Sequence, residues 1–198
     1  MILYNVQHVG CSARCLAISP VDPLLRCPEC CELFVERASL SLAPLPTPFV
    51  QHSSIQNCVV LKPSTGLFQE FSIGDELHIG VGDSRGIVHS FWKEGLLLDE
   101  PECGAWNESL MICTLSGDID NKLSLFEQKN LYSSDNYDDN SWNCFDFVMD
   151  FLFTVDSRCR YSKEEFVCQY IGNPLKKAVG YQKLLEEVRR RGGSLGIL

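Results

Sequence analysis

Leu77-His78-Ile79-Gly80-Val81, the return segment Gly86-Ile87-Val88-His89-Ser90-Phe91-Trp92, and Trp142-Asn143-Cys144-Phe145-Asp146-Phe147 decide how this chain reads. The first two runs are strand-like and are joined by Gly82-Asp83-Ser84-Arg85-Gly86, a hairpin signal. The third puts a cysteine in the first turn of an apolar helix over about 143–155, with Asn140, Ser141 and Asn143 all competent N-caps. A histidine on a hairpin and a cysteine at a helix start are the two parts that a thiol nucleophile and its base require.

The same residues also support the opposite reading. Cys144, Val148, Phe151 and Val155 recur at helical spacing, so the thiol lies on an apolar stripe, as an inert core cysteine would. Unpaired N–H groups at the helix start favour a thiolate instead. On the first strand His78 and Gly80 point to one face, and Leu77, Ile79 and Val81 to the other. An even-length turn sets His89 opposite His78. An odd-length turn without a bulge pairs His78 with Ser90 and turns His89 away. The glycines at 80, 82 and 86 belong to turn chemistry, since no helix follows to seat a phosphate.

Working outward, the 198 residues fit one ordinary domain with a small appendage, long enough to fold without disulfide staples. A formal charge of −9 argues against a nucleic-acid partner, because phosphate contacts need clustered Lys and Arg. The one basic cluster, Arg189-Arg190-Arg191, reads as a helix terminus. The acidic residues in 135–139 lack the spacing of a calcium loop. The first ten residues show no signal-peptide pattern and no 18-residue apolar run exists, so an intracellular, cytoplasmic location without a transmembrane segment is expected. In a reducing compartment the 11 cysteines read as free thiols, metal ligands or catalytic groups.

Five of the 11 cysteines fall in residues 1–37, within His8-x2-Cys11-x3-Cys15 and Cys27-Pro28-Glu29-Cys30-Cys31. Two short ligand pairs on tight turns each offer two corners of a tetrahedron, the pattern of a structural zinc knuckle or ribbon. Cys27 and Cys30 form the second pair, while the first is either His8 with Cys11 or Cys11 with Cys15. Residues 38–54, with Pro44, Pro46 and Pro48, read as a linker. Beyond it, residues 55–198 form the main domain. Strands are expected at 57–61 and 110–115, with a looser alternation over 67–73 and irregular chain over most of 95–140. A helix follows over 119–131 capped by Asp118, then the Cys144 helix, then a capping box at Ser162 and Glu165 opening a short helix. A last helix opened by Pro174 ends at Gly192-Gly193. Hairpins first and helices last favour an α+β fold with an antiparallel sheet.

The order His-x-Gly on a strand, a short hairpin and a distant Asn-Cys at a helix start resembles the circularly permuted papain-like fold of the NlpC-type peptidase and lecithin-retinol acyltransferase superfamily. That resemblance implies His78 as base, Cys144 as the nucleophile that forms a thioester, and His89 as an orienting residue. The acidic-then-histidine continuation of the acyltransferase motif is absent after Cys144. The N-terminal His/Cys cluster, Leu77-His78-Ile79-Gly80-Val81 and Tyr137-x-Asp139-Asn140-x2-Asn143-Cys144 together are similar to the makorin opposite-strand protein family. A fainter likeness in the His-x-Gly and Asn-Cys segments is to the reversion-to-ethylene-sensitivity family. Two functions follow as expectations. One is a catalytically silent adaptor binding a protein partner. The other is a cysteine hydrolase or acyltransferase acting on an acyl or amide substrate.

Overall fold

The hairpin read from the sequence is the centre of a six-stranded antiparallel sheet in the computed structural model, which describes residues 2–8, 11, 14–18, 26–27, 29–33 and 40–196. Strand β6 (Leu77–Gly82) pairs with β7 (Val88–Trp92) on one side and with β5 (Cys58–Pro63) on the other. Beyond β7 lies β8 (Gly95–Asp99), and beyond β5 lie β9 (Ser109–Thr114) and β4 (Phe49–Val50). Asp83 N–H donates to Ile87 O, leaving a three-residue loop that Gly86 closes at φ +89°. The turn is therefore odd in length. Gly80 stands opposite Ser90 and Val81 opposite His89, so His89 faces away from His78.

Alternation along these strands divides the sheet into two faces. Val59, Leu61, Ile79, Val81 and Phe91 meet helix α2 (Cys144–Val155) in the main core, joined by Phe147, Val148 and Phe151. Val60, Val88 and Trp106 form a smaller cluster on the reverse face. Gly80 is required here: a Cβ would lie 2.7 Å from Val88 Cγ1 and 3.0 Å from Trp106, so only glycine lets the indole lie on the strand. Helix α1 (Ile119–Glu127) is capped by Asp118, which accepts from Asn121 N–H, and it ends four residues short of the expected 131. The capping box at Ser162 and Glu165 opens α3 (Lys163–Phe166), and a wider π turn at Val167–Ile171 leads into α4 (Gly172–Arg190). Pro174 does not open a separate helix. It is the third residue of α4, just past a turn whose carbonyls have already left the i→i−4 pattern.

The chain divides into two units, Met1–Thr47 with Val179–Leu198, and Pro48–Ala178. The expected boundary at 37 lies outside the described residues. Residues 38–54 are not wholly a linker, since β3 (Leu40–Pro44) and β4 lie within them. In the smaller unit β3 pairs with β1 (Tyr4–His8), which pairs with β2 (Arg14–Ala17), and β2 pairs with β10 (Ser194–Gly196). The proline-rich composition of 38–54 hides this strand because its pairing partner lies more than thirty residues away. The fold is thus α+β with antiparallel sheets and a few helices. Residues 67–73 form turns, and 95–99 form β8 where irregular chain was expected. No helix among the described residues is long and apolar enough to cross a membrane.

Candidate functional sites

Asn143 and Asp146 build the start of α2. The Asn143 side chain accepts from Phe145 N–H at 3.0 Å, and Asp146 accepts from Asn143 N–H at 2.7 Å. Lys163 pairs with the same Asp146 carboxylate at 2.7 Å. The Cys144 side chain is thereby aimed inward, into the core that holds Ile79, and is 3% exposed. Burial pushes its thiol up to about 11, against the opposing pull of N–H groups at Ile79, Cys144 and Phe145. Of the two opposed readings of this cysteine, desolvation outweighs the helix start.

His78 faces the other side of the sheet. Its ring meets Trp92 edge-on at 4.4 Å and Trp106 at 5.4 Å. Burial, then the nearby Lys62 ammonium, pushes its imidazole down to about 3. Nδ1 is buried without a hydrogen-bond partner, and no hydrogen bond joins His78 to Cys144 among the described residues. His89 lies on the core face, where its Nδ1–H donates to Glu127 Oε1 at 2.5 Å, and its Nε2 lies 3.9 Å from Asp83. It orients neither His78 nor Cys144. Among the described residues no hydrogen bond joins the three residues expected to form one catalytic group, although Trp92, against which His78 packs, and Cys144 line the same recess.

The cysteine-rich segment does converge. His8, at the end of β1, Cys11, Cys27 and Cys30 place one ligand atom each within 4.8 Å of one another. His8 Nδ1 lies 3.2 Å from Cys11 Sγ and 3.3 Å from Cys30 Sγ, while Cys11 and Cys27 sulfurs are 3.6 Å apart. A tetrahedron built on metal–sulfur bonds of about 2.3 Å has edges of about 3.8 Å, so these four donors are spaced to hold one metal ion. Cys27 and Cys30 sit on a turn closed by Cys31 N–H to Cys27 O at 2.9 Å. Of the two first-half pairings, His8 with Cys11 lies in this group, while Cys15 packs with Val6, Ala17 and Cys27.

Sequence reading missed what surrounds this cluster. Glu32 Oε2 lies 4.0 Å from His8 Nε2, an ion-pair distance rather than a hydrogen bond. Ser194 Oγ donates to Arg26 O at 3.1 Å, and Ile18 N–H donates to Gly193 O, so the C-terminal residues close the unit that carries the four ligands. No spacing rule links positions 168 residues apart.

The model of the family described as DUF4796 C-terminal matches residues 43–188. The MKRN2 opposite strand protein of Homo sapiens is 25% identical over 184 residues, covering 83% of this chain and 80% of that relative. This agrees with the makorin opposite-strand resemblance read from the motifs. No solved structure matches the chain.

Proposed function

We propose that this chain, which belongs to the DUF4796 C-terminal family, is a non-catalytic protein-binding module that keeps a permuted papain-like α+β domain and uses a structural zinc ion to hold its smaller unit. The observation that carries the non-catalytic reading is the separation of Cys144 and His78 onto the two faces of β6. A base must reach within about 3 Å of the proton it takes, directly or through one water. A thiol held near 11 and an imidazole held near 3 are each poised against the charge state catalysis needs. The papain-like part of the reading is supported by the cysteine-headed helix packed on the central strands of an antiparallel sheet.

Zinc is supported by the donor set, three thiols and one imidazole. These soft and borderline ligands suit a tetrahedral d10 ion and leave no open coordination position. Such an ion cross-links residues that the small core around Val6 and Ala17 holds weakly. His8, Cys11, Cys27 and Cys30 are its ligands, and Glu32 lies beside His8.

A thiol-reactive acyl probe at neutral pH, with labelled sites mapped by peptide mass spectrometry, tests the non-catalytic reading. Exposed Cys103 and Cys168 serve as internal standards. Cys144 is expected to label far less than either, and His78→Ala to leave the pattern unchanged. Preferential labelling of Cys144 that disappears in His78→Ala would support the cysteine hydrolase or acyltransferase alternative.

A further inference from the structure

Beside the start of α2 the larger unit has a recess of about 220 Å³. Drug-sized sites span about 300–1,000 Å³, so this one admits a side chain rather than a cofactor. Three half-buried aromatic residues, Trp92, Tyr137 and Phe145, line it, together with Leu77 and the buried Cys144. The Trp92 and Tyr137 rings are 6.1 Å apart and inclined at 53°, forming a corner of the recess. Its rim is acidic, with the exposed carboxylates of Glu76 and Asp139. The Asp139 carboxylate lies close enough to Tyr137 to push the titration of its hydroxyl up, after burial, so one carboxylate adjoins one ring.

Aromatic faces with adjoining carboxylates attract one chemical class, an organic cation. The ring quadrupole attracts positive charge to the face, and the carboxylates add Coulomb attraction and accept N–H bonds. A cation of this kind is already drawn to the rim. Lys93 Nζ lies 3.4 Å from Asp139, in a pair whose side chains are both more than half exposed, so an incoming ammonium can displace it at little cost. Behind the wall, the neutral His78 ring meets Trp92 edge-on and holds the indole in place. The histidine that reads as a catalytic base is here a support for an aromatic wall.

We infer that this recess binds the ammonium head of a lysine side chain, free or methylated, presented by a protein partner. The site deepens the binding-module reading and rests on it for the nature of the partner.

Three blocked tripeptides test the site: acetyl-Gly-Lys-Gly-amide, its trimethyllysine counterpart, and the norleucine counterpart, a neutral isostere. Binding is followed by the indole N–H resonance of Trp92, assigned with Trp92→Phe. Lysine or trimethyllysine is expected to bind about fivefold to tenfold more tightly than norleucine, the scale of one partly desolvated cation–π contact plus exposed carboxylates. Glu76→Gln with Asp139→Asn, both at exposed positions, is expected to remove most of that difference. Lys93→Ala, which frees Asp139, is expected to tighten binding about twofold. Equal affinity for norleucine and lysine, or no shift at Trp92, overturns the site. A reactive Cys144 with lysine binding intact sinks the binding-module reading and leaves the site. Absent lysine binding with an inert Cys144 does the reverse.

Discussion

His78 and Cys144 stand on opposite sides of β6, one against Trp92 and Trp106 and the other in the core with Ile79. Alternation along a strand decides this separation. Cys144 meets the odd-numbered face of β6, and His78 belongs to the even-numbered one.

Burial of a neutral histidine makes stability depend on pH. The folded-state value of His78 is about 3 against an ordinary 6.5, so at acid pH the unfolded chain binds the proton that the folded chain refuses. The contribution is complete above pH 6.5 and is lost as pH falls from 6.5 toward about 3. By pH 4 the loss is on the order of 3 kcal/mol. Urea midpoints measured from pH 7 to pH 4 should fall in the wild type and fall less in His78→Leu. Parallel slopes would show that His78 is not the group responsible.

The four-ligand cluster predicts one zinc per chain by elemental analysis. Cys27→Ser or His8→Ala should abolish stoichiometric metal. Glu32→Gln should retain the metal but weaken its binding by up to about tenfold, as loss of a nearby carboxylate does. Chelation should expose amides of β1 and β2 to hydrogen exchange before those of β5 and β6.

Closure by the C-terminal strand predicts that removing residues 194–198 weakens the same unit. β10 supplies the pairing with β2 and the Ser194 bond to Arg26. The truncated chain should lose zinc at a lower chelator concentration than the full chain. Identical chelator midpoints would show that β10 leaves the ligands unaffected.

Asp83 is the clamp of the central hairpin. It is 1% exposed, and its Oδ1 accepts from Arg85 N–H at 2.9 Å and Ile87 N–H at 2.8 Å. Asp83→Ala leaves a buried donor unsatisfied and should cost about 2–4 kcal/mol in chemical denaturation. Asp83→Asn keeps the accepting oxygen and should cost less than half as much.

What the sequence made legible was local chemistry. Asn143 as a cap, Asp118 as a cap, the Ser162 capping box and the 82–86 turn each rest on bonds within four residues, and all four are found. The convergence of the Cys/His group was legible for a similar reason, because Cys27 and Cys30 share one turn. The Leu195 strand and the Trp92–Tyr137 corner were not, since each joins segments whose meeting depends on the whole topology. His89 fell between these cases. Both of its orientations were written in the hairpin, and the length of one turn chose between them.

The most direct measurement of the central claim is the rate of iodoacetamide alkylation at Cys144 as a function of pH, site-mapped in wild type and His78→Ala. A buried thiol held near 11 should react slowly at pH 7, speed up continuously above pH 9 and be indifferent to His78. A rate plateau reached by neutral pH, and lost in His78→Ala, would show a thiolate activated by that histidine and contradict the non-catalytic account.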